Sequence, residues 1–212
     1  MGQRNPGAQP WYNTHSVRSG ILHKKETVQI MQNVSAVYSP PANLPQLSVP
    51  PNTAVTMRRA RVGDVPRLYE LISFYAARGD MLPKTLDQIY NRVRDFVVAD
   101  AEGEVIGCAA LKVTWQDLAE IISVTIHPDF QGQGLGRRLV EPLFAEAQEL
   151  GIPTLFVLTG QVGFFSRLGF REVPRLRLPH KIWQDCTACF KQDQCDEVAM
   201  VREVVGRGNI LE

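Results

Sequence analysis

Apolar residues are sparse and aperiodic up to about residue 55, then fall into spacings whose period changes along the chain. TMRRARVGD (56–64) reads as a short strand running into Asp64, which stands as a helix cap before Pro66. Val65, Leu68, Leu71, Ile72 and Tyr75 then recur at helical spacing. KTLDQIYNRV (84–93) predicts a second, short helix, capped by Thr85 or by the Pro83 region. DFVVAD (95–100) and EVIGCAALKVT (104–114) are β-rich runs joined by AEGE, a hairpin signal. DLAEIISVTIH (117–127) is mostly apolar and predicts a strand buried on both faces, ended by His127-Pro128. GRRLVEPLFAEAQELG (136–151) puts Leu139, Leu143, Phe144, Ala147 and Leu150 on one helix face, with Gly151 as the stop. Pro142 inside that helix either kinks it or marks its first turns. TLFVLT (154–159) reads as a buried strand, QVGFFSRLG (161–169) as a short helix, and FREV (170–173) and DEVAMVREV (196–204) as closing strands.

The order of strand, two helices, three strands, helix, strand, helix and strands implies an α/β (α+β) domain. Its central sheet is mixed and mostly antiparallel, with helices on both faces. We find no internal repeat and no second domain. The expected organisation is a disordered or linker leader over 1–55, a folded domain over 56–205 and a tail over 206–212. A cysteine-containing excursion (176–197) precedes the last strand. The leader holds one acidic residue, Glu26, against Arg4, Arg18, Lys24 and Lys25, and seven of the fourteen prolines. Its stretch SPPANLPQLSVPP (39–51) has few helix donors and little to bury, which predicts an extended linker. A basic, acid-poor leader also fits an organelle transit peptide, or a chain whose true start is Met31 or Met57.

The formal net charge of +1 argues against a nucleic-acid binder or a membrane-surface binder that relies on bulk electrostatics. No apolar run approaches the length of a membrane span. Four cysteines without a signal peptide suggest a reducing, cytoplasmic location.

The chemistry is concentrated in HPDFQGQGLGRRLV (127–140), where Gly132, Gly134 and Gly136 stand between a strand and a helix. The first N–H groups of a helix lack partners and carry its positive dipole end, and glycines let an anion approach the backbone. A dinucleotide fingerprint needs a glycine where Arg137 stands, and a Walker A loop needs a Gly-Lys-Ser/Thr ending. Neither is present. The spacing that fits is Gln131-x-x-Gly134-x-Gly136. With SVTIHP before it, RRLV after it and FFSRLGF downstream, it resembles the pyrophosphate-binding loop of the GNAT superfamily of N-acetyltransferases. WQDLAEI, LFVLT and the cysteine-rich segment before DEVAM further resemble short, stand-alone amino-acid acetyltransferases of the N-acetylglutamate synthase type.

That resemblance implies acetyl-CoA as co-substrate and transfer of its acetyl group to the α-amino group of an amino acid. Glutamate, in arginine biosynthesis, is the acceptor it suggests. Backbone groups of Val124, Thr125 and Ile126 would pair with the pantetheine arm. The N–H groups of Gln131, Gly132, Gln133, Gly134, Leu135 and Gly136, with Arg137 and Arg138, would hold the pyrophosphate, with at most one of the two arginines facing it. Ile122 stands where many relatives carry an arginine, which bears on glutamate specificity. A homodimer through the last strands is what the fold family suggests.

Acetyl transfer needs a neutral amine and therefore a base. Past the opening Asp117, Glu120 is the only carboxylate of its mostly apolar strand, where burial is expected to raise its pKa. The tyrosine that usually protonates the leaving thiolate in this superfamily is replaced by Phe165. That leaves Ser166, water or unassisted thiolate departure, and makes Phe164 and Phe165 core or pocket wall. Lys84, Arg92, Arg94 and Lys112 are candidates for holding the acceptor carboxylate. Cys186, Cys189 and Cys195, with His180, have the composition of a Cys3His zinc site; a redox pair or reduced packed thiols are the alternatives. Cys108 reads as core. Two competing readings remain: acetylation of a protein N-terminus or another small amine, and a non-catalytic, metal-stabilised interaction module.

Overall fold

A computed structural model describes residues 44–178 and 195–204. Seven strands form one sheet in the order β1-β2-β3-β4-β5-β7-β6. They are β1 (Val55–Arg59), β2 (Phe96–Ala101), β3 (Glu104–Trp115), β4 (Leu118–Ile126), β5 (Thr154–Thr159), β6 (Arg171–Glu172) and β7 (Val198–Glu203). The helices are α1 (Val65–Ala77), α2 (Leu86–Asn91), α3 (Leu135–Glu149) and α4 (Val162–Arg167). Every neighbouring pair is antiparallel except β4 and β5.

Period-two alternation sorts the strand side chains into opposite faces. On β2, Val97, Ala99 and Ala101 join the cluster built on Leu139, Leu143 and Ala147 of α3. Phe96 and Val98 join the cluster built on Leu68, Leu71 and Ile72 of α1 and Ile89 of α2. Phe156 of β5 points into a third cluster with Leu118, Ala199 and Val201. Both faces of the sheet are therefore covered, as the sequence order implied.

Local chemistry accounts for the element ends. Thr85 caps α2 through a capping box: its Oγ1 accepts from the Gln88 N–H at 3.2 Å, and Gln88 Oε1 accepts from the Thr85 N–H at 3.0 Å. The β2–β3 hairpin turns on Glu102 and Gly103, both at positive φ, and Asp100 Oδ1 accepts from the Gly103 N–H at 2.6 Å. Gly151, at φ 71°, closes α3 in a Schellman motif, with Ile152 N–H bonded to Ala147 O and Gly151 N–H to Gln148 O.

Three sequence expectations change. Asp64 precedes α1 but makes no side-chain cap bond to it. Its carboxylate instead accepts from Arg58 (2.7 and 3.0 Å) and from the Arg61 N–H (2.7 Å), and Arg58 also reaches Asp100 at 2.6 Å. This pairing holds the Asp64 carboxyl below its ordinary range. Leu150 is 55% exposed because it lies past the last turn of α3, at the C-cap. Of the two alternatives for Pro142, the interior of α3 is the one found. The proline-rich stretch also has something to bury from Leu44 onward. Leu44 packs on the α1-side cluster, while Leu47 and Val49 pack on the α3-side cluster. The Ser48 N–H donates to both carboxylate oxygens of Glu104 at 3.1 Å.

Candidate active site

β4 and β5 pair only over Leu118↔Thr154, Ala119↔Leu155 and Glu120↔Phe156, although the strands continue to Ile126 and Thr159. Beyond Glu120 they part, and a cleft of about 1100 Å³ opens between them. The half-buried character of β4 from Ile122 to Val124, where burial on both faces was expected, follows from this opening. On its other side β4 carries a bulge. Cys108 pairs with Thr125 and Ala110 with Ile122, so the β4 segment has one residue more than β3. Ser123 takes up the extra residue at φ 54°. Behind the bulge Cys108 is buried, its Sγ 3.1 Å from Thr125 Oγ1, and burial pushes its thiol up to about 12. It is an inert core thiol, as its strand position suggested.

The glycine loop forms one wall. Gly132 and Gly134 have φ of 76° and 74°, and a Cβ placed on either would meet nothing within 4 Å. Their backbone is thus laid bare to open space where α3 begins, with Gly134 at its N-cap. That arrangement suits a polyanion. Gly136 is glycine for a second reason: a Cβ there would lie 3.1 Å from the Phe164 ring. Phe164 and Phe165 both line the cleft and meet edge-to-face at 4.9 Å, so they are wall residues, as expected. Ser166 is exposed and lies outside the cleft lining.

Of the residues the sequence singled out, Glu120, Val124, Thr125, Ile126, Gln131, Gly132, Gly134, Leu135, Gly136 and Arg137 line this one cleft. Gln133 and Arg138 do not. Gln133 Nε2 donates to the Pro51 carbonyl at 3.0 Å, and Arg138 Nη2 to the Val55 carbonyl at 2.6 Å. Arg137 faces the cleft and also pairs with Glu141 at 2.7 Å. Among the cation candidates Lys84 lines the cleft, whereas Lys112 pairs with Glu120 at 3.4 Å and Arg92 with Asp95 at 3.9 Å. Arg175, which the sequence reading did not name, also lines it and donates to Cys195 Sγ at 2.8 Å. Cys186, Cys189 and His180 lie outside the described residues, and no group of three metal-binding side chains occurs among the described ones.

Tyr75 was also missed. Its helical spacing reads as core, yet its hydroxyl reaches the cleft, donates to the Ile126 carbonyl and accepts from Gln131 Nε2 at 2.7 Å. Burial raises its pKa, which keeps it a donor at neutral pH.

A mixed sheet that parts at a parallel pair, with a glycine loop leading into a helix beside the gap, defines the class of protein. Residues 65–170 match the acetyltransferase (GNAT) family, and the chain belongs to it. It is an acetyl-CoA-dependent N-acetyltransferase. It is 41% identical over 152 residues to an uncharacterised N-acetyltransferase of Chlorobaculum tepidum, covering 72% of this chain and 98% of that protein. It is 42% identical over 120 residues to the amino-acid acetyltransferase of Mycobacterium tuberculosis, covering 55% of this chain and 68% of that one. Among solved structures, N-acetylglutamate synthase of Neisseria gonorrhoeae complexed with coenzyme A and N-acetyl-glutamate superposes with a TM-score of 0.65 at 28% identity. That match covers 73% of this chain and 36% of the synthase. No helix among the described residues is long and apolar enough to cross a membrane.

Proposed function

We propose that this chain acetylates the α-amino group of an amino acid, with L-glutamate as best acceptor, as a step of arginine biosynthesis in the cytoplasm. The observation that carries the reading is the coincidence of Glu120, the glycine loop and the parted β4–β5 pair in one cleft. The amino-acid acetyltransferase relative and the synthase neighbour support the acceptor class.

Acetyl-CoA supplies an activated acyl group as a thioester. The N–H groups of the loop and the first turn of α3, with Arg137, hold its phosphates. Past Glu120 the cleft edge of β4 has no ladder to β5 among the described residues, so apart from the Ile126 carbonyl, which Tyr75 holds, it offers its backbone groups as to a missing strand. Glu120 takes a proton from the acceptor ammonium, directly or through a water, so that the amine can attack the thioester carbonyl. As the C–S bond breaks the electron pair stays on sulfur, the attacking nitrogen gives up its second proton to water as the amide forms, and the proton held at Glu120 is returned to solvent. α4 presents Phe164 and Phe165 to the cleft rather than a hydroxyl, so the thiol leaves as thiolate or is protonated by water. Lys84 and Arg175 are the lining cations suited to acceptor carboxylates. Thiol release measured with each amino acid at equal concentration tests the reading. Glutamate is expected to exceed alanine at least tenfold, because losing a charge-assisted contact to the side-chain carboxylate costs about 1.4 kcal/mol or more. Equal rates, or activity on peptides alone, would overturn the acceptor assignment.

A further inference from the structure

Gln133 and Arg138, the two loop-region residues that do not face the cleft, turn to the same piece of chain. Gln133 Nε2 donates to Pro51 O at 3.0 Å and Arg138 Nη2 to Val55 O at 2.6 Å. That piece is itself anchored. Leu44 packs on one face of the sheet and Leu47 and Val49 on the other, so the segment crosses from face to face. Glu104 accepts from the Ser48 N–H at 3.1 Å, and Thr53 N–H closes a turn onto Pro50 O at 3.0 Å.

We propose that residues 44–55 form a strap that positions the glycine loop for acetyl-CoA, with Gln133 as the positioning residue that joins the two. The inference rests on the reading of the loop as the phosphate site. Gly132 and Gly134 leave the loop backbone without side-chain packing of its own, since a Cβ on either meets no atom within 4 Å. Such a backbone loses conformational freedom when it binds an anion, and that ordering opposes affinity. A side-chain amide fixed between the two glycines to an anchored carbonyl removes part of that freedom beforehand. Gln131 does the same from the other side, through Tyr75. The prolines that break the periodicity of this stretch stiffen it: Pro51 itself carries the carbonyl that Gln133 meets, Pro50 precedes it, and proline fixes φ.

The test is a double-mutant cycle on the full chain. Gln133→Met keeps the length and neutrality of the side chain but cannot donate. Leu47→Ala with Val49→Ala loosens the strap at positions outside the cleft lining. Each is expected to raise the dissociation constant of CoA roughly fivefold, the worth of one net hydrogen bond, with kcat changed less than twofold. The combined variant is expected to be no weaker than the weaker of the two, because both remove one coupling. Additive losses would mean that Gln133 touches the ligand itself, and would overturn the strap. Unchanged CoA affinity in both variants, with circular dichroism unaltered, would overturn it as well. Gly134→Val separates the two levels: if it leaves CoA affinity intact, the loop reading fails, and if it alone weakens binding, only the strap fails.

Discussion

The cleanest perturbation of the site is Gly134→Val, because the structure separates its two costs. Gly134 sits at φ 74° as the N-cap of α3, a conformation that L-residues adopt at a cost of roughly 1–2 kcal/mol, and a β-branched one at the upper end. A domain of this size shifts its midpoint by about 2–4 °C per kcal/mol, so the free protein should lose roughly 2–8 °C. Nothing further is lost to packing, since a Cβ at this position meets no atom within 4 Å. Any effect beyond that arises on the ligand side, where the branched side chain stands between the loop N–H groups and the phosphate oxygens. CoA affinity should fall at least tenfold, or about 1.4 kcal/mol. Gly134→Ala is the internal control, with most of the backbone cost and little of the bulk. Calorimetric titration with CoA, alongside thermal unfolding of the free protein, reads both quantities. A folded Gly134→Val protein with wild-type CoA affinity would refute the reasoning, whatever its midpoint.

Other outcomes follow from the same geometry. Glu120→Gln keeps the shape of the wall but cannot take a proton, so steady-state kinetics should show kcat down about 100-fold with KM for acetyl-CoA little changed. Lys84→Ala should raise the acceptor KM several-fold while leaving the KM for acetyl-CoA unaltered. His127, 5% exposed at the end of β4, is held below its ordinary pKa by burial, partly opposed by Asp129. Between its folded and unfolded pKa values the unfolded chain binds the proton and the folded chain does not, so stability rises with pH there. Thermal midpoints should therefore fall as pH drops below about 6.5, and His127→Asn should flatten that slope.

How much of this was legible beforehand depended on whether a residue's task was periodic. The α3 face, the buried β5 and the hairpin at Glu102-Gly103 follow from spacing and turn chemistry, and the structure contains them. The glycine loop was legible because only glycine serves where a backbone must be both bare and left-handed. Tyr75 was not, because a helical position facing the core and one reaching past it to a β4 carbonyl have the same spacing. Nor was the bulge: Ser123 takes a positive φ that nothing in ISVTI announces, and it appears only once β3 fixes the register. The packing of residues 44–51 is hidden in the sequence because prolines erase periodicity without erasing hydrophobicity, so Leu44, Leu47 and Val49 stand isolated there. Lys112 has the charge an acceptor needs, but cross-strand pairing, which sequence does not show, places it opposite Glu120.

The three-residue length of the β4–β5 ladder has a consequence for amide exchange. On β5 the far side is paired with β7 through to Thr159, and on β4 the far side is paired with β3 through Ile126, so each strand is half protected. Past Glu120 and Phe156 the amides that point between the two strands have no ladder partner among the described residues. Deuterium should enter the cleft-facing amides of Ile121–Ile126 far faster than those paired with β3, a comb pattern interrupted at the Ser123 bulge rather than a melted segment. Acyl-CoA should slow the teeth of that comb and leave the gaps unchanged.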